Sequence, residues 1–368
     1  MRARFAVFIA IVQSILFLGH LIIYGTWIEL WGADSETKLT LGIVVAVLSV
    51  TFVTSSALGF RYSNAGVRAF YRLAATWIGF LNFLFCASLL SWAVFALCWV
   101  VGWHGAGRPI VGFFYGAAAA ISVYGILNAA HTRVRRISVK MPNLPAWWRG
   151  RTAALVSDLH LGHVRSFGFV RRIVATLVAL APDVVFIAGD LYDGVAVDVE
   201  GLAGEWSELK TPLGVFFVAG NHEEFGSPAK YFDAVRRAGV HVLNNEMVSA
   251  DGLQIVGVDY RASVSSKYFT SVLEKARIDP NRASILVSHA PHHLEIPEGA
   301  GISLQVSGHT HHGQLIPFTW MVDRIFGPYA YGLHPFGKMM VYTSCGAGTW
   351  GPPMRVGTDP EIVMITFE

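Results

Sequence analysis

Eight side chains between residues 158 and 311 have the types and spacing for metal chemistry. Asp158 and His160 form a D-x-H pair, Asp190 follows Gly189, and Asn221 and His222 follow Gly220. His289 closes a further short run, and His309 and His311 sit in the stretch VSGHTHH. Carboxylate, imidazole and amide oxygen together suit hard-to-borderline divalent cations. One histidine behind an apolar run is ordinarily structural. Five loops that carry donors in the order D-x-H, GD, GNH, H and GHxH are not an outcome of packing alone. Two imidazoles from one tight loop, His309 and His311, point to two neighbouring ions. Gly308 before them is expected to let the backbone turn sharply.

The donors always stand just behind a short apolar run: AALVSDLH, VVFIAGD, VFFVAGNHE, SILVSHAPHH and SLQVSGHTHH. Such runs, bounded by glycine or serine, read as buried strands. Helix-like stretches lie between several of them, at 167–180 and 229–238. Strands alternating with helices predict a layered α/β domain, a sheet or sandwich with helices outside. In open α/β sheets the loops after the strands converge at one edge, so donors more than 150 residues apart can meet.

The chain is 53% hydrophobic with mean hydropathy +0.47, and the excess is uneven. Up to Gly150 there are 12 Lys/Arg and three acids; from Arg151 on there are 16 Lys/Arg against 22 Asp/Glu. A basic, apolar part at 1–150 thus precedes an acidic part at 151–368, whose net charge is −6. Two domains of these lengths fit ordinary sizes. The three cysteines draw neither a disulfide framework nor a CxxC metal site.

Four segments, at 5–24, 39–60, 73–103 and 109–130, are long and apolar enough to span a bilayer, which takes about 20 residues. The first is too long for a cleaved leader, and three more follow it. Gln13, His20, Asn82 and Asn128 are their notable polar side chains, read as interhelix hydrogen bonding. With no intramembrane charge, an ion pathway has little support. Arg2 and Arg4 before the first span, Arg61, Arg68 and Arg72 around the second loop, and Arg133, Arg135, Arg136 and Lys140 after the fourth all fall on one side of the membrane. Positive charge stays cytoplasmic, which predicts an inner-membrane protein with its C-terminal domain in the cytoplasm. The basic stretch at the end of 1–150 reads as a linker, and Trp147 and Trp148 as candidates for the headgroup level.

These residues resemble the signature of the calcineurin-like metallophosphoesterases: D-x-H, GD-x-x-D, GNH(E/D), H, GHxH. Here it stands as Asp158-Leu159-His160, Gly189-Asp190-Leu191-Tyr192-Asp193, Gly220-Asn221-His222-Glu223, His289 and Gly308-His309-Thr310-His311. The tail YTSCGAGTWGPP, then Arg355 and PEIVMITFE, is similar to the branch of UDP-2,3-diacylglucosamine-hydrolase-like enzymes and transmembrane metallophosphoesterase-domain proteins. His312 departs from it, where that branch commonly has glycine. The resemblance implies a four-layer α/β/β/α sandwich and two divalent ions such as Mn, Fe or Zn. One would be held by Asp158, His160, Asp190 and His311, the other by Asp190, Asn221, His289 and His309, with Asp190 bridging. It implies further that His222 contacts the phosphate or protonates the leaving oxygen. Asp193 and Glu223 are expected to orient ligands, and His163, His292 and His293 lie close in sequence.

A dimetal phosphoesterase is therefore expected. An acidic domain without a basic track argues against nucleic acid as a partner. A tether to the bilayer suggests a lipid-linked phosphoester or pyrophosphate, such as a nucleotide-linked glycolipid. The segment 317–336, rich in aromatic side chains, is expected either to guide an acyl chain or to pack against the core. A soluble substrate with the membrane part as anchor is the alternative, and a non-catalytic metal-binding scaffold a third reading.

Overall fold

The computed structural model describes residues 2–225 and 228–368. The chain divides into two compact units: residues up to Leu127 together with Gly351–Met354, and Asn128–Trp350 together with Arg355–Glu368.

The first unit contains α1 (Arg2–Glu29), α2 (Ser35–Gly59), α3 (Ala65–Val100) and α4, which runs from Gly107 and ends at Ala129. All four are long and apolar enough to cross a membrane. Asp34 and Asn64 cap α2 and α3, accepting the N–H groups of Thr37 and Val67 at 2.8 and 3.0 Å. Such caps are worth about 1 kcal/mol each. α3 begins eight residues before the expected span at 73. Its 36 residues measure about 54 Å at 1.5 Å per residue, well beyond a bilayer core of about 30 Å. Arg68 and Arg72 can therefore be helical without entering hydrocarbon. Several polar groups inside this unit pair across helices. Gln13 donates to the Ser49 carbonyl at 2.9 Å, Trp77 donates to His20 Nε2 at 2.8 Å, and Trp92 donates to the Thr26 hydroxyl at 3.0 Å.

The second unit is built on two six-stranded sheets. In chain order the strands are β1 (Arg133–Val139), β2 (Thr152–Val156), β3 (Val184–Ala188), β4 (Val215–Val218), β5 (His241–Val242) and β6 (Glu246–Ala250). They continue with β7 (Leu253–Val258), β8 (Ser284–Ser288), β9 (Leu304–Ser307), β10 (Gly332–Phe336), β11 (Met339–Thr343) and β12 (Glu361–Phe367). One sheet has the order β1-β12-β2-β3-β4-β5 and the other β10-β11-β9-β8-β7-β6. β2 to β5 run parallel, as do β7, β8, β9 and β11. The intervening helices are α5 (Phe167–Leu180), α6 (Val199–Gly204), α7 (Pro228–Arg237), α8 (Tyr260–Ser263), α9 (Ser266–Ala276), α10 (Glu295–Gly299) and α11 (Phe318–Phe326).

Alternate residues of each strand feed different layers. Ala153 and Leu155 of β2 face Ile255, Ile285, Val287, Leu304 and Val306 in the core between the sheets. Ala154 and Val156 face Val170, Ile173 and Leu177 of α5 in an outer core. Val256, Val258 and Leu286 meet Phe269 and Leu273 of α9 in the other outer core. The result is the expected α/β/β/α sandwich. Each fully buried aliphatic or phenyl side chain contributes about 1.5–3 kcal/mol.

Two expectations give way here. The basic stretch read as a linker is strand β1, paired in parallel with β12 from Arg133↔Glu361 to Val139↔Phe367. Its arginines point outward while Val134 and Ile137 pack inward on opposite faces. Trp148 is fully buried between the sheets rather than at a headgroup level, and donates to the backbone carbonyl of Asp251 at 3.1 Å. Only Trp147 is exposed.

Candidate metal centre

Parallel strands deliver their C-terminal ends to one edge, and each donor-bearing loop leaves from such an end. β2 leads to Asp158 and His160, β3 to Asp190, β4 to Asn221 and His222, β8 to His289, and β9 to His309 and His311. The seven residues expected as ligands do come together. His311 Nε2 lies 3.5 Å from Asp158 Oδ1 and 3.0 Å from His160 Nε2. His160 Nε2 lies 3.7 Å from Asp190 Oδ2, and His289 Nε2 lies 3.2 Å from the same oxygen. His289 Nε2 is also 3.1 Å from Asn221 Oδ1 and 3.2 Å from His309 Nδ1. Asp190 forms with His289 and His309 one cluster that could hold an ion, and its Oδ2 also lies near His160 of another, Asp158–His160–His311; His160, Asp193 and His222 make a third.

The loops bend hard to achieve this. Asp158, His160, Asp190, His309 and His311 all have left-handed backbones, with φ of 54°, 49°, 50°, 72° and 47°. For non-glycine residues this costs on the order of 1 kcal/mol or more each and persists where the surroundings over-determine it. The motif glycines serve another purpose than expected for Gly308. It is His309, not Gly308, that takes the left-handed turn. A Cβ on Gly308 would come 2.3 Å from Asp158 Oδ2, and one on Gly220 would come 2.2 Å from Asp190 Oδ1. These positions must be glycine because carboxylates occupy the space of a side chain.

Partners behind the cluster fix which atoms face it. His289 Nδ1 is 2.7 Å from the Ala188 carbonyl, so it donates there and turns the Nε2 lone pair inward. His160 Nδ1 faces Asp193 Oδ1 at 3.3 Å, which does the same for its Nε2. Asp193 also stands beside His222, whose Nδ1 is 3.2 Å from the Asp193 carbonyl. Glu223 is buried completely and accepts three backbone N–H groups: Asp190 and Tyr192 at 3.0 Å, Gly220 at 2.8 Å. One carboxylate therefore clamps the β3 and β4 loops together. Burial, then the charge of Asp190, pushes Glu223 up to about 7.

The donor set fits a cation. Burial would raise Asp190, but the His289 and His160 imidazoles overcome it and hold its carboxyl far below the usual range. His309 is depressed to about 3, and His311 well below its ordinary value, by burial first and a neighbouring imidazole second. Burial would lower His289 and His160, but Asp190 beside the first pushes it up to about 10, and Asp193 with Asp190 raises the second. The buried carboxylates thus draw positive charge from these two imidazoles, a charge that a bound cation would supply instead.

Arg355 deserved more weight in the sequence. It is fully buried, donates to the carbonyls of Cys345 and Gly348 at 2.6 and 2.8 Å, and places Nη2 3.4 Å from His311 Nδ1. Its only advance signal was a cation inside the glycine- and proline-rich tail. Tyr260, the first residue of α8, tilts its ring 5.3 Å from His309 and was not anticipated. Of the nearby histidines, His292 approaches His309, with rings 6.0 Å apart, His293 instead faces Glu295, and His163 is fully buried. His312 points away from the cluster, 2.9 Å from Asp323 and stacked on Tyr331.

Comparison with known proteins accords with this geometry. The family model for calcineurin-like phosphoesterase matches residues 152–313. An uncharacterized metallophosphoesterase of Aquifex aeolicus is 31% identical over 259 residues, 68% of this chain and 97% of the relative. An uncharacterized metallophosphoesterase of Campylobacter jejuni is 30% identical over 248 residues, 66% of this chain and 65% of the relative. A Danio rerio protein named transmembrane protein with metallophosphoesterase domain is 31% identical over 266 residues, 68% of this chain and 61% of the relative. The chain thus spans somewhat under two thirds of the last two. It belongs to the calcineurin-like metallophosphoesterases, phosphoesterases that use divalent metals, and four apolar helices precede its catalytic fold.

Proposed function

We propose that the protein is a membrane-anchored hydrolase of phosphoester or pyrophosphate bonds that works with two divalent cations. The observation that carries this reading is the position of Asp190 Oδ2, 3.7 Å from the His160 and 3.2 Å from the His289 nitrogen. Asp158, His160, Asp190 and His311 would hold one ion, and Asp190, Asn221, His289 and His309 the other. Bound there, the cations supply an acidified water, a grip on phosphate oxygens and neutralisation of developing charge. Two carboxylates among neutral donors leave such a site positive, which favours a phosphate anion.

The chain's own residues prepare the reaction. Asp193 keeps the His160 ring in one orientation, and Glu223 keeps the Asp190 and Asn221 loops in register. His222 is buried, and burial, then His160, holds its pKa below the ordinary value. An arriving phosphate anion raises that value. In its protonated form His222 can give the proton to the leaving oxygen.

For the substrate we favour a lipid-linked phosphoester, such as a nucleotide-linked glycolipid in the cytoplasmic leaflet of the inner membrane. The distribution of Lys and Arg around the apolar helices supports that side, and the acidic charge of 151–368 disfavours nucleic acid. The test is turnover by full-length protein, stripped of metal and resupplied with Mn²⁺. It compares bis-p-nitrophenyl phosphate with a UDP-linked diacyl sugar in mixed micelles, with Asp190→Asn as control. Mn²⁺-dependent turnover much faster on the lipid, and lost in the control, is expected. Turnover confined to the soluble diester would make the helices a plain anchor. No metal-dependent turnover on either would overturn the hydrolase reading for these substrates.

A further inference from the structure

α11 follows the GHTHH loop and is apolar on both sides. Thr319 is buried against the domain, with Val322 and Phe326 half-buried beside it. Phe318, Met321 and Ile325, at helical spacing of three and four, face outward with Trp320 and are 44–69% exposed. Ten large apolar side chains are exposed among the described residues of this unit, and four of them lie on these nine residues. By comparison α5 exposes only Val178, and α9 only Tyr268. A concentrated apolar patch of this kind marks a surface that is covered in use.

The chain itself indicates what covers it. α4, an apolar helix long enough to cross a membrane, ends at Ala129, and β1 begins at Arg133. Three residues reach about 10 Å at most, so this unit works at the surface of the bilayer its own chain crosses. A short helix with Trp, Phe, Met and Ile outward, and Arg324 exposed beside them, has the make-up of a helix lying at a membrane interface. It is also tied to the metal centre. Asp323 meets His312 Nε2 at 2.9 Å, and a Cβ on Gly313 would strike the Thr319 nitrogen at 2.4 Å.

We propose that α11 lies in the headgroup region of this bilayer with Phe318, Trp320, Met321 and Ile325 inserted, and so holds the GHTHH loop against the leaflet. The proposal rests on the membrane anchor and not on the substrate, and its test reads no turnover. Cys86 and Cys98 are replaced by alanine; Cys345 is buried. A nitroxide is placed through Ile325→Cys, through Met321→Cys, or through Val178→Cys on α5 as control. Each full-length protein is reconstituted in phosphatidylcholine–phosphatidylglycerol nanodiscs, and spin relaxation by oxygen and by a water-soluble nickel chelate is measured. Labels at 325 and 321 should be relaxed several-fold more by oxygen than by nickel, and the control should show the reverse. A water-exposed pattern at both α11 positions would overturn the proposal. So would protection from both reagents, which would mean that a protein surface covers the helix.

Discussion

The helical unit and the metal-binding unit treat buried polar groups in opposite ways. Among the helices Gln13, Trp77 and Trp92 each donate to a neutral partner on another helix: a carbonyl, His20 and Thr26. These bonds join neighbouring helices. In the other unit Asp158, His160, Asp190, His289, His309 and His311 crowd together, with ring nitrogens 3.0–3.2 Å apart. Ala188, Asp193 and Arg355 stand behind the rings of His289, His160 and His311, and the inner atoms face one another. The helices' polar groups meet neutral partners pair by pair, whereas the donors of the metal-binding unit converge on one small space.

That contrast breaks at Asp190 if the metal reading is wrong. Asp190→Asn should lower Mn²⁺-dependent hydrolysis on the order of 10³-fold or more, as loss of a preorganised charge does, while circular dichroism stays native. Turnover within tenfold of wild type would show that the shared carboxylate is dispensable. Glu223→Gln removes charge from an acceptor of three backbone N–H groups. It should cost about 2 kcal/mol of stability in thermal unfolding, and an unchanged melting temperature would deny the clamp. Asp193→Asn should weaken Mn²⁺ binding about 10–100-fold by freeing the His160 ring. Calorimetric titration checks this, and an unchanged affinity would mean that packing alone orients the ring. On the helical side, His20→Ala should cost only about 0.6 kcal/mol, the usual worth of one interhelix hydrogen bond in a membrane. Its Mn²⁺ titration should match wild type, and any loss there would join the two regions that are here set apart.

Much of the centre was legible because each donor followed a short apolar run, and parallel strands must end at one edge. Four spans were legible because hydrocarbon demands long uncharged segments. What stayed hidden depended on tertiary pairing. The arginines of 133–136 masked the alternation of β1, whose partner β12 lies more than 200 residues away. Trp148 looked interfacial until the sheets closed over it. Gly308 looked like a turn glycine, yet its need is room for Asp158, which no local pattern reveals. The segment 317–336 divides: Thr319 and Ala330 are buried, as packing against the core requires, while Trp320 and Ile325 face out.

The most direct test of the central claim is a count of ions. Full-length protein, stripped with chelator, is titrated with Mn²⁺ and followed by calorimetry and electron paramagnetic resonance. Two equivalents per chain with a spin-coupled pair signal, and loss of that signal in Asp190→Asn, are the predicted result. A single uncoupled equivalent in the wild type, or a coupled pair that survives Asp190→Asn, would contradict a centre built around that carboxylate.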